Sequence, residues 1–171
     1  MVLRCTGRLL DLLGGRAVTL TELPPTDDDW YANLLWLDRQ KCLLLMHAGT
    51  LFSVFRARVR KADVRSIGAY VVEAVEAELR SEILPTDTFG QLDPDTVRLA
   101  KTASRSTLGF MNETAVHLRY GVAVAGSLSH CDIGALNRGL RRTLHNRGGY
   151  GHSIEFVAQR LAARAVAGMR K

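Results

Sequence analysis

The sequence predicts an α+β domain in which an antiparallel sheet, a three-stranded meander with one or two further strands, packs against about four helices. Three observations lead there. Apolar runs of strand length concentrate in residues 30–55, whereas three- and four-residue apolar spacing takes over after residue 63, so strands come first and helices later. The breaks between those apolar runs are short and polar, which joins antiparallel neighbours, because a parallel crossover needs a dozen or more residues. The 171 residues, 47% hydrophobic and 23% charged with four prolines, suit one domain spanning residues 1–171.

In chain order, residues 2–6 form a short apolar opening strand, and Leu9, Leu10, Leu12 and Leu13 a brief helix stopped by Gly14-Gly15. Residues 18–23 read as a second strand. Pro24-Pro25 and the three carboxylates Asp27, Asp28 and Asp29 then read as exposed loop, since like charges repel and prolines turn the chain. The meander follows, with polar breaks at residues 38–41 and 48–50. Alternation from Trp30 puts Trp30, Ala32, Leu34 and Trp36 on one face, read as core, and Asn33 on the other. Asp63 is positioned to cap a helix to about residue 83, whose apolar face carries Val64, Ile67, Val71, Ala74, Val75 and Leu79 and which Pro85 ends. A strand is expected at residues 96–100, and Ser104 or Ser106 as cap of a helix through Asn112, His117 and Tyr120. After Asp132, Ile133, Leu136, Leu140 and Leu144 fall on one helical side, with Arg138, Arg141, Arg142 and His145 on the opposite side at 100° per residue. Ser153 caps a last helix with a stripe of Ile154, Val157, Ala158, Leu161 and Ala165.

Charge is unevenly divided. Residues 1–100 hold 12 basic and 14 acidic side chains, and residues 101–171 hold 11 basic and 3 acidic, so the net charge of +6 originates in the last 71 residues. A cationic surface gathers phosphate-bearing partners and speeds their encounter. Cys5, Cys42 and Cys131 are an odd number at unrelated spacings, as expected of reduced thiols in the cytoplasm. The charged opening residues do not read as a signal peptide. The longest uncharged apolar run, residues 42–55, is too short to span a bilayer, so no membrane association is expected. His130-Cys131, His145 and His152 lack zinc-ligand spacing, and no nucleotide-cofactor motif is present; neither metal nor cofactor is expected.

Two constellations can carry chemistry. Lys101, Arg105, Ser106 and Asn112 gather cations, a hydroxyl and an amide around a strand-to-helix junction, where free N–H groups and the positive helix end favour a bound phosphate. The Arg138, Arg141, Arg142 and His145 face, with Arg147 beyond it, is a ridge of forked guanidinium groups able to straddle successive phosphates, and Tyr150 nearby could stack on a base.

Arg4-Cys5-Thr6, Trp30-Tyr31-Ala32-Asn33-Leu34, Asp38-Arg39-Gln40-Lys41, Leu51-Phe52-Ser53-Val54, Lys101-Thr102-Ala103-Ser104-Arg105-Ser106 and Gly109-Phe110-Met111-Asn112 stand in an order that resembles a family of uncharacterised bacterial proteins. That family occurs alone or joined to plasmid open-reading-frame-three-like domains. The resemblance spans nearly the whole chain and implies a small bacterial cytoplasmic protein carried by mobile elements; it supplies no catalytic assignment.

The leading functional expectation is therefore a protein that binds nucleic acid or another phosphate-rich partner through its basic C-terminal half. One alternative is a metal-independent ribonuclease or toxin-like enzyme, with His117, Arg119, Tyr120 and the distant Arg105 or His145 as its acid, base and cations. Another is an antitoxin-like interaction module or homo-oligomer, in which the basic ridge meets an acidic protein surface.

Overall fold

A computed structural model describes residues 1–147 and 149–168, with the side chain of Arg16 left outside that description. Strand β1 (Val2–Cys5) runs into helix α1 (Gly7–Leu13), and the chain then crosses to the meander β2 (Trp30–Leu37), β3 (Gln40–His47) and β4 (Ser53–Arg56). Helices α2 (Lys61–Arg65) and α3 (Ile67–Ser81) lead back to β5 (Arg98–Lys101). Helices α4 (Arg105–Val124) and α5 (Ile133–Arg141), the small hairpin β6 (Leu144–Asn146) and β7 (Tyr150–His152), and α6 (Ser153–Gly168) complete the chain.

The fold is α+β and the expected meander is present, but the five-stranded sheet β4-β3-β2-β1-β5 is mixed rather than antiparallel, and the described residues form six α-helices against the expected four or so. β1 pairs parallel with β2 on one side and with β5 on the other, because both links to its neighbours contain helices long enough to cross over. Both faces of the sheet are covered. Leu3, Ala32, Leu34, Leu43, Leu45 and Val54 pack beneath α1, α2, α3 and α6, while Tyr31, Leu35, Leu44, Met46 and Phe55 pack beneath α4 and α5. This double burial explains why β2 and β3 read as near-continuous apolar runs.

Several local expectations are corrected. Residues 18–23 form no strand. One bond, from Thr21 N–H to the Leu99 carbonyl at 2.7 Å, ties them to β5, and the Arg4 guanidinium takes the Leu23 carbonyl at 2.8 Å instead. Asp29 is not in an exposed loop: it is buried in an ion pair with Arg4 and accepts from the Thr26 N–H and hydroxyl. The helix expected after Asp63 is two helices, since the chain leaves helical angles at Ser66 (φ −113°, ψ 46°). Gly68, in the first turn of α3, lies where a Cβ would stand 2.5 Å from the Pro94 carbonyl oxygen. Trp36 is 55% exposed rather than core, because β1 and β5 end below it. In α6, Val157 is buried and Ile154 and Leu161 are partly so, but Ala158 and Ala165 are exposed.

Candidate functional site

The α5 ridge turns inward. Asn137 is fully buried and grips the outer edge of β4: its Oδ1 accepts from the Phe55 N–H at 2.7 Å and its amide donates to the Phe55 carbonyl at 3.0 Å. Arg141, also fully buried, donates to the Ser53 carbonyl at 3.2 Å and lies over the Phe52 ring. Together these two side chains do what a neighbouring strand would do, and they close an edge that would otherwise invite another chain. The end of α3 and its capping residue supply the counter-charge, with Arg141 meeting Glu78 at 2.9 Å and Glu82 at 2.7 Å, and Arg142 meeting Glu82 at 2.7 Å. The Arg142 and Arg141 guanidinium groups hold the Glu82 carboxyl down at about 2 against its burial.

The expected solvent-facing row Arg138, Arg141, Arg142 and His145 is therefore corrected. Arg138 is exposed, Arg141 is core, Arg142 is half exposed and paired, and His145 lies beyond the helix on β6, buried against Phe110. Helical projection fails there because α5 ends at Arg141, which also leaves Leu144 exposed. Farther along, Arg147 pairs with Asp27 at 2.7 Å and Arg160 pairs with Asp28. Four C-terminal cations, Arg141, Arg142, Arg147 and Arg160, thus meet acidic side chains of the N-terminal half inside one fold.

The Lys101–Asn112 constellation has a different setting. α5 packs at β4, one edge of the sheet, whereas Lys101 ends β5 at the other edge, so the two sequence-predicted groups do not converge. β1 and β5 are adjacent and parallel, yet the helices that follow them go to opposite faces: α1 joins one core and α4 the other. Such a switch point leaves a crevice beyond the carboxyl ends of the strands. Here it is deepened because β2 continues past both. β1 reaches β2 only to Ala32, so residues 33–37 stand alone on that side among the described residues.

A cavity of about 490 Å³ occupies this crevice, lined by Thr6, Gly7 and Arg8 below, residues 33–36 of β2 behind, and Asn112 and Arg119 of α4 in front. Among the described residues no carboxylate lines it. α4 begins at Ser104, whose side chain accepts from the Thr107 N–H at 3.2 Å and whose own N–H donates to the Tyr31 hydroxyl at 3.0 Å. From this anchored start, Arg105, Asn112 and Arg119 follow at seven-residue spacing, which keeps them on one side of the helix about 10 Å apart. All three are exposed, as is Lys101, whose strand position is level with Cys5 just before the cleft floor. Ser106 instead lines a separate cavity with Tyr31, Ser104 and Arg147 on the other side of α4.

Asn112, Lys101 and Arg105 were thus legible as candidates, while Arg8, Asn33 and Arg119 were not joined to them. One available signal was Asn33 itself, a polar side chain in a strand otherwise apolar on both faces. Chain separation hid the rest.

The acid–base candidates divide between two cavities, although the charge of His117 reaches His145 and, after burial, helps to lower its pKa. His117 lines the groove between α4 and α5 with Cys131, Leu136 and Leu140, whereas Arg119, two residues on, lines the cleft. Burial pulls the His145 pKa down, and both its ring nitrogens are buried without a partner among the described residues. Burial pushes the Cys5 thiol up to about 12 and raises that of Cys42, so neither supplies a thiolate near neutral pH. Among the described residues no cluster of three metal-ligating side chains occurs, and no helix is long and apolar enough to cross a membrane.

Comparisons of the chain with curated proteins and with solved structures find no match. A family model described as a domain of unknown function, DUF6933, matches residues 2–156, and the chain belongs to that family.

Proposed function

We propose that this protein binds a single-stranded nucleic acid through the cleft at the β1/β5 end of the sheet, not through the α5 ridge. The supporting observation is the lining of that cleft: Arg8 and Arg119 with Asn33 and Asn112, and no carboxylate among the described residues. Two guanidinium groups can take phosphate oxygens in forked contacts, with Lys101 and Arg105 as further cations beside them. The cytoplasmic, mobile-element setting implied by the family resemblance would put such strands within reach.

Binding of this kind is salt-dependent, because each neutralised phosphate releases a counterion at roughly 0.7 per contact for single strands. Fluorescence anisotropy of a dye-labelled single-stranded RNA at low and at physiological salt tests it. The wild type should bind, more weakly as salt rises, and Arg8→Ala/Arg119→Ala should bind more weakly with a smaller salt slope by about 1.4. Absence of binding to RNA and DNA at low salt overturns the proposal.

A further inference from the structure

We infer that the cleft reads a nucleobase with the main chain of β2. This rests on the polyanion reading above and names what that site takes: one nucleotide of a single strand, with its base against the free strand edge.

The strand geometry carries the inference. The Thr6 N–H donates to the Ala32 carbonyl at 3.0 Å, which sets the main-chain groups of Ala32 toward β1. Main-chain direction in a strand repeats every two residues, so those of Leu34 and Trp36 face the same side, while those of Asn33 and Leu35 face β3. By Gly7 the chain has left the sheet for α1, and no strand stands opposite Leu34 or Trp36 among the described residues. The Leu34 carbonyl and the Trp36 N–H therefore point side by side into the cavity. Neither group has a main-chain partner among the described residues, and strand main-chain groups are ordinarily paired.

The neighbours of this edge select its occupant. Residues 33–37 are free on this side among the described residues, and the Arg8 and Arg119 cations in the same cavity favour a phosphate-bearing strand over an added peptide. A carbonyl beside an N–H suits one flat ring that carries a donor beside an acceptor, and the pairing edge of a nucleobase is such a ring. The side chains around the edge continue the pattern. Asn33 uses its Oδ1 to accept from the Thr6 hydroxyl at 3.1 Å, which leaves its amide hydrogens for a ligand, and Asn112 brings a second amide from α4. Arg8 and Arg119 in the same cavity are the cations for the phosphates on either side of that base.

The edge can be altered at one atom. Because the Trp36 N–H faces the vacant side, Trp36→Pro removes a donor without breaking a ladder bond, and Trp36→Ala removes the same ring while keeping the donor. The probes are a labelled single-stranded RNA and the same ribose-phosphate chain lacking its bases, each titrated at one fixed salt concentration. The expected result is at least tenfold weaker binding of the base-free chain by wild type, with that preference reduced further in Trp36→Pro than in Trp36→Ala, which loses the same ring but keeps the donor. Equal binding of both probes by wild type overturns the inference and leaves the polyanion reading standing. Binding of neither probe overturns both. If Trp36→Pro does not fold, the two probes on wild type decide alone.

Discussion

Replacing Arg141 by alanine isolates the claim that the α5 ridge is structural. Its guanidinium is fully buried and reaches Glu78 at 2.9 Å, Glu82 at 2.7 Å and the Ser53 carbonyl at 3.2 Å. Removing one partner of a buried ion pair costs about 3–5 kcal/mol, mostly from the charge left behind. Arg142 still neutralises Glu82 in the variant, so the lower figure of about 3 kcal/mol applies. For a chain of this length, each kcal/mol moves the melting temperature by about 2–4 °C, which gives a fall of roughly 6–12 °C. Thermal unfolding followed by circular dichroism at neutral pH reads this directly. Arg138→Ala, three residues earlier on the exposed side, should stay within about 0.5 kcal/mol of wild type. The gap between the two variants should persist in high salt, because buried pairs are screened far less than exposed ones. If Arg141→Ala melts within about 2 °C of wild type, Arg141 is not the buried clasp described here.

Asn137→Ala should cost about 2–4 kcal/mol in urea unfolding, since it strands both the Phe55 N–H and its carbonyl, and it should promote association through the uncovered β4 edge on size-exclusion chromatography. Gly68→Ala should destabilise by about 1–3 kcal/mol, because its Cβ would stand 2.5 Å from a main-chain oxygen that cannot swing away. His47, buried beside Arg160 with only partial compensation from Asp28, has its pKa lowered to about 3. The unfolded chain therefore binds the proton first, near pH 6.5, and the stability from keeping His47 neutral is complete above that pH and lost as pH falls toward 3. Between pH 6.5 and 4.5 the loss should be about 2–3 kcal/mol, and His47→Gln should flatten that part of the stability–pH curve.

The sequence carried the elements better than their assembly. The meander was readable because β2, β3 and β4 are separated by short polar breaks, and Ser104 and Asp132 marked helix starts through the side-chain caps they make to Thr107 and Ala135. The parallel placement of β1 was not readable, since a four-residue strand leaves no local trace of which neighbour it chooses. The α5 face misled for a specific reason. Projecting a helix at 100° per residue assumes that polar side chains face water, but a sheet edge needs hydrogen bonds as much as a core needs apolar surface, and Asn137 and Arg141 meet that need. The cleft was only partly visible: of Lys101, Arg105 and Asn112 near the strand-to-helix junction, Asn112 lines it, and Arg8, Asn33 and Arg119 join Asn112 there only because β1 ends short of β2.

Amide chemical-shift mapping of the labelled protein with a short single-stranded RNA tests most directly which surface the ligand uses. The account predicts shifts concentrated at residues 6–8, 33–36 and 112–119, with the Leu34 and Trp36 region among the largest and α5 little changed. Shifts centred on Arg138 and Arg142, with the β2 edge silent, would contradict it.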